Sequence, residues 1–171
     1  QDCGLVFDLT GDFVASFYNP ETDVILNPMD ERCPSWSVFN DCRDHADLTS
    51  AAAALIPIDG GASEPFWTMA ARTLFIETCI ILLEEERKSE GRRKASNQGL
   101  ASRLMMADLK QVQNMLEGTI ADPLTAPEAA RMAESIRAVF NTNAQALRFL
   151  PETSPRFSIK EWVANQNKRG S

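Results

Sequence analysis

The sequence predicts a mainly α protein: a helical bundle preceded by a short strand–helix–strand fragment of an α/β unit. Three observations predict it. Apolar residues recur at three- and four-residue spacing through 129–150. The run from Phe66 to Leu83 is apolar on nearly every side, the mark of a buried central helix. Strand-like apolar runs occur before residue 27 and not after it. The 171 residues, 44% apolar and 24% charged with nine Pro and eight Gly, are ordinary globular usage. That excludes collagenous, low-complexity and disulfide-scaffold classes.

Each element has its own local reason. Gly4 to Asp8 is a short apolar run ending in a carboxylate and reads as a buried strand. Asp8 to Gly11 is a turn, Asp12 to Tyr18 a short helix stopped by Asn19-Pro20, and Val24 to Leu26 a second strand ended by Asn27-Pro28. Two strands make no stable sheet by themselves, so their partners are expected elsewhere. The first residue is Gln and the last four are Lys168-Arg169-Gly170-Ser171, so the chain reads as a piece of something longer.

The text changes after Pro34. Asp47 to Ile56 holds four successive alanines and predicts a helix closed by Pro57. Gly60-Gly61 is a flexible turn. Ser63 is an N-cap, with Pro65 in the first turn, for a long helix over about 64–88. Residues 89–97 form a polar, basic connection, and a helix follows near 98–106. Asp108 with Gln111 is a capping box for a helix to Glu117, stopped by Gly118. Thr125 with Glu128 is a second box, opening an amphipathic helix of about 24 residues. Ser158 with Glu161 is a third, with Phe157 stapled onto Trp162. The boundaries are therefore 1–34 for the α/β fragment and 35–171 for an all-helical domain.

Charge divides the chain unevenly. Residues 1–64 hold 2 basic and 12 acidic side chains, and residues 65–171 hold 15 and 12. With −7 overall, phosphate binding belongs to the second part. The four cysteines lie in unrelated contexts, which predicts reduced cytosolic thiols. The longest apolar stretch, Leu74 to Leu83, is about half what a bilayer needs and predicts a soluble, cytoplasmic piece.

No phosphate-cradling G-x-x-x-x-G-K-[ST], G-x-G-x-x-G or G-x-S-x-G occurs. His45 is the single histidine, so H-E-x-x-H is excluded and a Ser/His/Asp triad lacks support. No catalytic, cofactor-binding or metal residue is assigned, and no cofactor is expected in this piece. Cys33, Cys42 and His45 lack finger or ribbon spacing and read as ordinary loop residues. Asp8, Asp12, Asp30 and Glu31 would suit a magnesium-bound phosphate if other segments completed the site; as they stand they are turn formers and solvated charges. The best candidate contact for DNA or an acidic partner is Arg87, Lys88, Arg92, Arg93 and Lys94, five positive charges in eight residues. Placement at a helix C-terminus explains Arg87 and Lys88 equally well. Trp36, Trp67 and Trp162 could stack bases, yet each sits in an apolar setting and reads as core.

A set of segments resembles a known family. Leu5-Val-Phe-Asp8-Leu-Thr-Gly11-Asp-Phe-Val14, Phe17-Tyr18, Asp23 through Arg32 and Trp36 look like the TraD-type coupling proteins of conjugative type IV secretion. The likeness continues through Ala54-Leu-Ile-Pro57, Glu64-Pro-Phe-Trp67, Ala71 to Phe75, Ser135 to Val139, Leu147 to Leu150 and Phe157 to Trp162. It is most specific in the first 75 residues and loosest between 84 and 130. The resemblance implies ring-forming, hexameric P-loop nucleoside-triphosphatases of the bacterial inner membrane, using ATP and magnesium, that deliver relaxase-bound single-stranded DNA to the secretion channel.

On that resemblance, residues 1–34 are a fragment of the nucleotide-binding motor domain. Residues 35–171 are the all-α domain that recognises substrate: relaxase, other relaxosome proteins or DNA. The alternative is a stand-alone helical DNA-binding module. The family's Walker A lysine and Walker B carboxylates have no matching positions here, so the piece is expected to have no catalysis of its own. It is expected to make no membrane contact, to meet neighbouring ring subunits in the full protein, and to bind single-stranded DNA weakly when isolated. Asp8, Gly11, Asn27, Pro28, Trp67 and Arg72 match family-typical positions and take structural roles: turn formation, strand ending and packing of the central helix. Arg72 should need a buried carboxylate or carbonyl partner, with Glu77 a candidate.

Overall fold

The computed structural model describes residues 4–58, 65–89, 95–153 and 155–169. Gly60-Gly61, Ser63 and Arg92-Arg93-Lys94 lie outside the described residues. Helix α1 (Asp12–Phe17) forms where expected. Its cap is the Asp8 carboxylate, which accepts from the Gly11 amide at 3.0 Å and the Val14 amide at 2.9 Å, satisfying donors the helix cannot pair internally. Gly11 turns the chain at φ 80, where a Cβ would be strained. The flanking runs 4–8 and 24–26 are not strands here, which corrects the sequence reading. Leu5 and Phe7 are 96% and 87% exposed. An apolar run becomes a strand only against a neighbour that pairs its backbone, and the described residues supply none at these positions.

The elements after Cys33 run β1 (Ser35–Trp36), α2 (Val38–Asp41), α3 (His45–Leu55), α4 (Pro65–Lys88) and α5 (Asn97–Ala101), which continues into a π-turn over Ser102–Met106. Then come α6 (Leu109–Leu116), α7 (Asp122–Thr125), α8 (Ala130–Ala144) between 3-10 turns at Pro127–Ala129 and Gln145–Phe149, β2 (Arg156–Phe157) and α9 (Ile159–Arg169). Helix α3 starts before Asp47 because the Asp44 carboxylate caps it, accepting from the Asp47 amide at 2.8 Å. The Asp108–Gln111 box opening α6 forms in both directions, at 2.8 and 3.1 Å. Gly118, at φ 77, ends that helix.

The Thr125–Glu128 box does not form. Thr125 is fully buried at the end of α7 and donates to the Asp122 carbonyl at 3.2 Å. The Asp122-Pro123 start creates a separate short helix, so the predicted 24-residue helix begins as a 3-10 turn after Ala126.

Helix α4 runs through the centre and packs mainly on α8 and α3. Leu74, Phe75, Cys79 and Leu82 are buried, and the Phe75 and Phe140 rings lie 6.1 Å apart. Leu104, Leu116 and Ile136 close the same core. Each such side chain contributes about 1.5–3 kcal/mol by leaving water. By length and composition α4 is long and apolar enough to cross a membrane, which the ten-residue run interrupted by Glu77 did not signal. Half of its most apolar window is buried inside the bundle, the situation of a core helix. Burial pushes the Cys79 thiol well above the ordinary range, and Cys33, Cys42 and Cys79 are free thiols.

The parallel pair of β1 and β2, Ser35 with Arg156 and Trp36 with Phe157, corrects the expectation of no strand after Leu26. Two-residue strands far apart in sequence carry no readable alternation. What joins them is a side-chain clasp. The Asp41 carboxylate accepts from the Trp36 indole at 2.7 Å, the Ser158 hydroxyl at 2.7 Å, and the amides of Ile159 and Lys160 at 3.1 and 2.9 Å. The Asn40 amide donates to the carbonyls of both Ser35 and Phe157. Lys160 reaches Asp47 at 2.8 Å. Burial pushes the Asp41 carboxyl up, but the donors from Lys160, Ser158, Trp36 and Ile159 outweigh it and hold the group below its ordinary value.

Two outcomes are expected. Phe75→Ala should cost about 3–5 kcal/mol in urea unfolding, whereas exposed Phe7→Ala should stay within about 0.5 kcal/mol. Because the folded Asp41 carboxyl is depressed, its contribution is fully present above the unfolded value and lost as pH falls through the folded one. The stability difference between the native chain and Asp41→Asn should therefore be flat above about pH 5 and shrink below about pH 4, as read by denaturant melts across pH.

Candidate nucleic-acid interface

At the cationic end of α4, two of the three successive carboxylates are engaged in bonds to other elements. Glu85 takes a two-pronged bond from Arg103, with both N–O distances at 2.7 Å. Glu86 accepts from Arg43 at 2.9 Å and from the Ala95 amide at 3.1 Å, tying α4 to the start of α3 and to the approach to α5. Arg87 and Lys88 remain exposed in the last turn, without an ion-pair partner among the described residues. There they also suit the negative end of the helix dipole. Arg87 edges a cleft of about 240 Å³ with Arg43, Asp44, His45 and Glu84 at the rim and Leu48, Ile80 and Leu83 beneath. Of the five predicted contact residues, Arg87 and Lys88 are thus placed together.

The approach to α5 is held rigidly on the far side of the connection. Asn97 is fully buried, and its side-chain oxygen accepts from the Ser37 hydroxyl at 3.0 Å and the Val38 amide at 3.2 Å. Its amide donates to the Trp36 carbonyl at 3.1 Å. Sequence reasoning missed Asn97, because a buried Asn looks like any surface Asn until its partners are known.

The residues assigned structural roles sit as follows. Asp8 and Gly11 form the turn and cap of α1. The Asn27 side chain accepts from the Met29 amide at 3.0 Å, across half-buried Pro28. Trp67 packs against the core, edge-on to Phe66 at 5.2 Å. Arg72 donates to the Ile56 carbonyl at 2.9 Å and the Ala53 carbonyl at 3.5 Å, closing the end of α3. Carbonyls, not Glu77, are its partners. Burial instead pushes the Glu77 carboxyl up, only partly offset by His45. Trp36 is half-buried with its indole committed to Asp41, which removes one of the three candidate stacking rings.

Comparison with known proteins settles the family. The model of the type IV secretion-system coupling protein DNA-binding domain matches residues 1–171. The chain belongs to this family. It is 30% identical over 165 residues to the coupling protein TraD of Escherichia coli (strain K12), an alignment covering 95% of this chain and 22% of TraD. Among solved structures it is similar to the bacterial conjugative coupling protein TrwBdeltaN70 in its unbound monoclinic form, with TM-score 0.77 and 28% identity. That match covers 92% of this chain and 35% of TrwBdeltaN70. TrwB in complex with ADP and Mg2+ is matched at TM-score 0.72 and 28% identity, over 89% of this chain and 35% of that one. The chain therefore spans about a fifth of TraD and a third of TrwB. Its mainly helical fold is shared with the matched third of TrwBdeltaN70.

Arg72→Met should keep the helix apolar but leave the Ile56 carbonyl without its charged donor, at a cost of about 1–3 kcal/mol in urea unfolding. Glu77→Gln should cost less, since Glu77 is not the partner of Arg72.

Proposed function

We propose that this chain is the cytoplasmic substrate-recognition part of a conjugative coupling protein, engaging relaxase-bound single-stranded DNA and handing it to the secretion channel without nucleotide chemistry of its own. The observation that carries this reading is the exposed cationic end of α4 in a chain belonging to a DNA-binding family. The Arg92-Arg93-Lys94 run lies only a few residues beyond it in sequence, and together these charges would cover several phosphates. The net charge of −7 opposes the approach of DNA to a single copy. Productive binding then belongs to a hexameric ring, where six weak sites act at high effective concentration. The acidic surface contributed by residues 1–64 suits a basic relaxosome protein by charge complementarity.

Residues 1–34 fit the same reading as a piece of the nucleotide-binding motor. The bare apolar side chains of Leu5, Phe7, Leu9 and Phe17 are what strands and a helix look like without their sheet. ATP and magnesium would then be held by other parts of the full protein, which would sit at the bacterial inner membrane. The relative TrwB, of which this chain covers about a third, occurs in complex with ADP and Mg2+.

The test is fluorescence anisotropy with labelled single-stranded DNA and with purified relaxase, at about 50 and 200 mM salt. DNA binding should be weak and salt-sensitive. Arg87→Gln with Lys88→Gln should lower the slope of log affinity against log salt by about 0.7 for each phosphate that is no longer neutralised. Relaxase binding with an unchanged DNA salt slope in that variant would make the domain a protein receptor and the basic end a solvated helix terminus.

A further inference from the structure

Helix α9 is held unlike the other long helices. No side chain described between Ile159 and Asn165 is buried, and Trp162 alone among them is half-buried. None belongs to the hydrophobic core or packs against it. Eleven residues are too few for a helix to persist in water by propensity alone. What α9 has instead is a fully satisfied first turn. Its opening amides, Ile159 and Lys160, donate to Asp41, and the third, Glu161, donates to the Ser158 hydroxyl at 3.1 Å. Ser158 is itself held by Asp41, and a full negative charge sits at the positive end of the helix dipole.

The bonds from Ser158, Ile159 and Lys160 converge on one carboxylate, so they break together. Two further ties of this unit, Asn40 to the Phe157 carbonyl and Lys160 to Asp47, lie beside it. Asp41 is anchored independently of α9: Val38 and Phe39 beside it are buried, and Asn97 grips the backbone just before it. The bundle thus keeps its half of the clasp whether or not α9 is in place. We propose that the Asp41 carboxylate is a latch that holds β2 and α9 as one separable cooperative unit, so that its opening releases α9 as an unstructured segment while the bundle stays folded. Such local order–disorder units are where proteins draw their conformational switches.

Hydrogen exchange read by mass spectrometry tests this, on peptides covering 156–165 and 70–83 in the native chain, Asp41→Asn and Ser158→Ala. In Asp41→Asn, exchange over 156–165 should rise about 10- to 100-fold, as expected when hydrogen bonds to a charged group are removed, with 70–83 unchanged. Ser158→Ala, which removes a cap but no buried charge, should raise exchange over 156–165 about 5-fold. It gives the readout if Asp41→Asn fails to fold. Unchanged exchange over 156–165 in the variants would overturn the latch. So would an equal rise in both peptides, which would make Asp41 an ordinary member of one global unit.

Discussion

The strand pair and the start of α9 depend on one carboxylate meeting four donors. Asp41 ends a single helical turn whose apolar residues, Val38 and Phe39, are driven into the core, and that burial aims the carboxylate at Trp36, Ser158, Ile159 and Lys160. A half-buried charge is costly unless its lone pairs are filled, and here they are. The parallel strand pair, only two residues long, could not persist by its ladder alone. It exists because Asn40 and Asp41 hold both strands from the side. Segments over a hundred residues apart are brought together by polar chemistry that the apolar pattern does not announce.

The same accounting explains two arginines in apolar surroundings. Arg72 caps the end of α3, and Arg137, 7% exposed, donates to the carbonyls of Leu104 and Ala107 at the end of the π-turn. Helix ends leave carbonyls unpaired, and a buried end needs a donor that reaches it. A planar guanidinium can serve two carbonyls at once, which a lysine ammonium cannot match in geometry. Burying the stem of the side chain meanwhile adds apolar packing.

At the other end of α4 the logic reverses. Glu85 and Glu86 are drawn into structural pairs that fix α3, α4 and the approach to α5, and the cations beyond them face water. The acidic helix terminus presents cations at its tip because two of its three carboxylates, Glu85 and Glu86, are committed to the scaffold. The sign of that tip is therefore opposite to the sign of the whole chain, whose net charge is −7.

Much of this was legible in the sequence. The central helix, the Asp108–Gln111 box, the Gly118 stop and the turn at Asp8–Gly11 follow from interactions within a few residues, so local pattern determined them. The family was legible too, because short segments in the right order carry it. The strand pair, the Thr125 helix break, the partners of Arg72 and the clasp at Asp41 were decided by tertiary structure alone. Each depends on which distant backbone groups are left unpaired once the core has closed. Helix formation is short-range, whereas satisfying a buried donor or acceptor is a property of the finished fold.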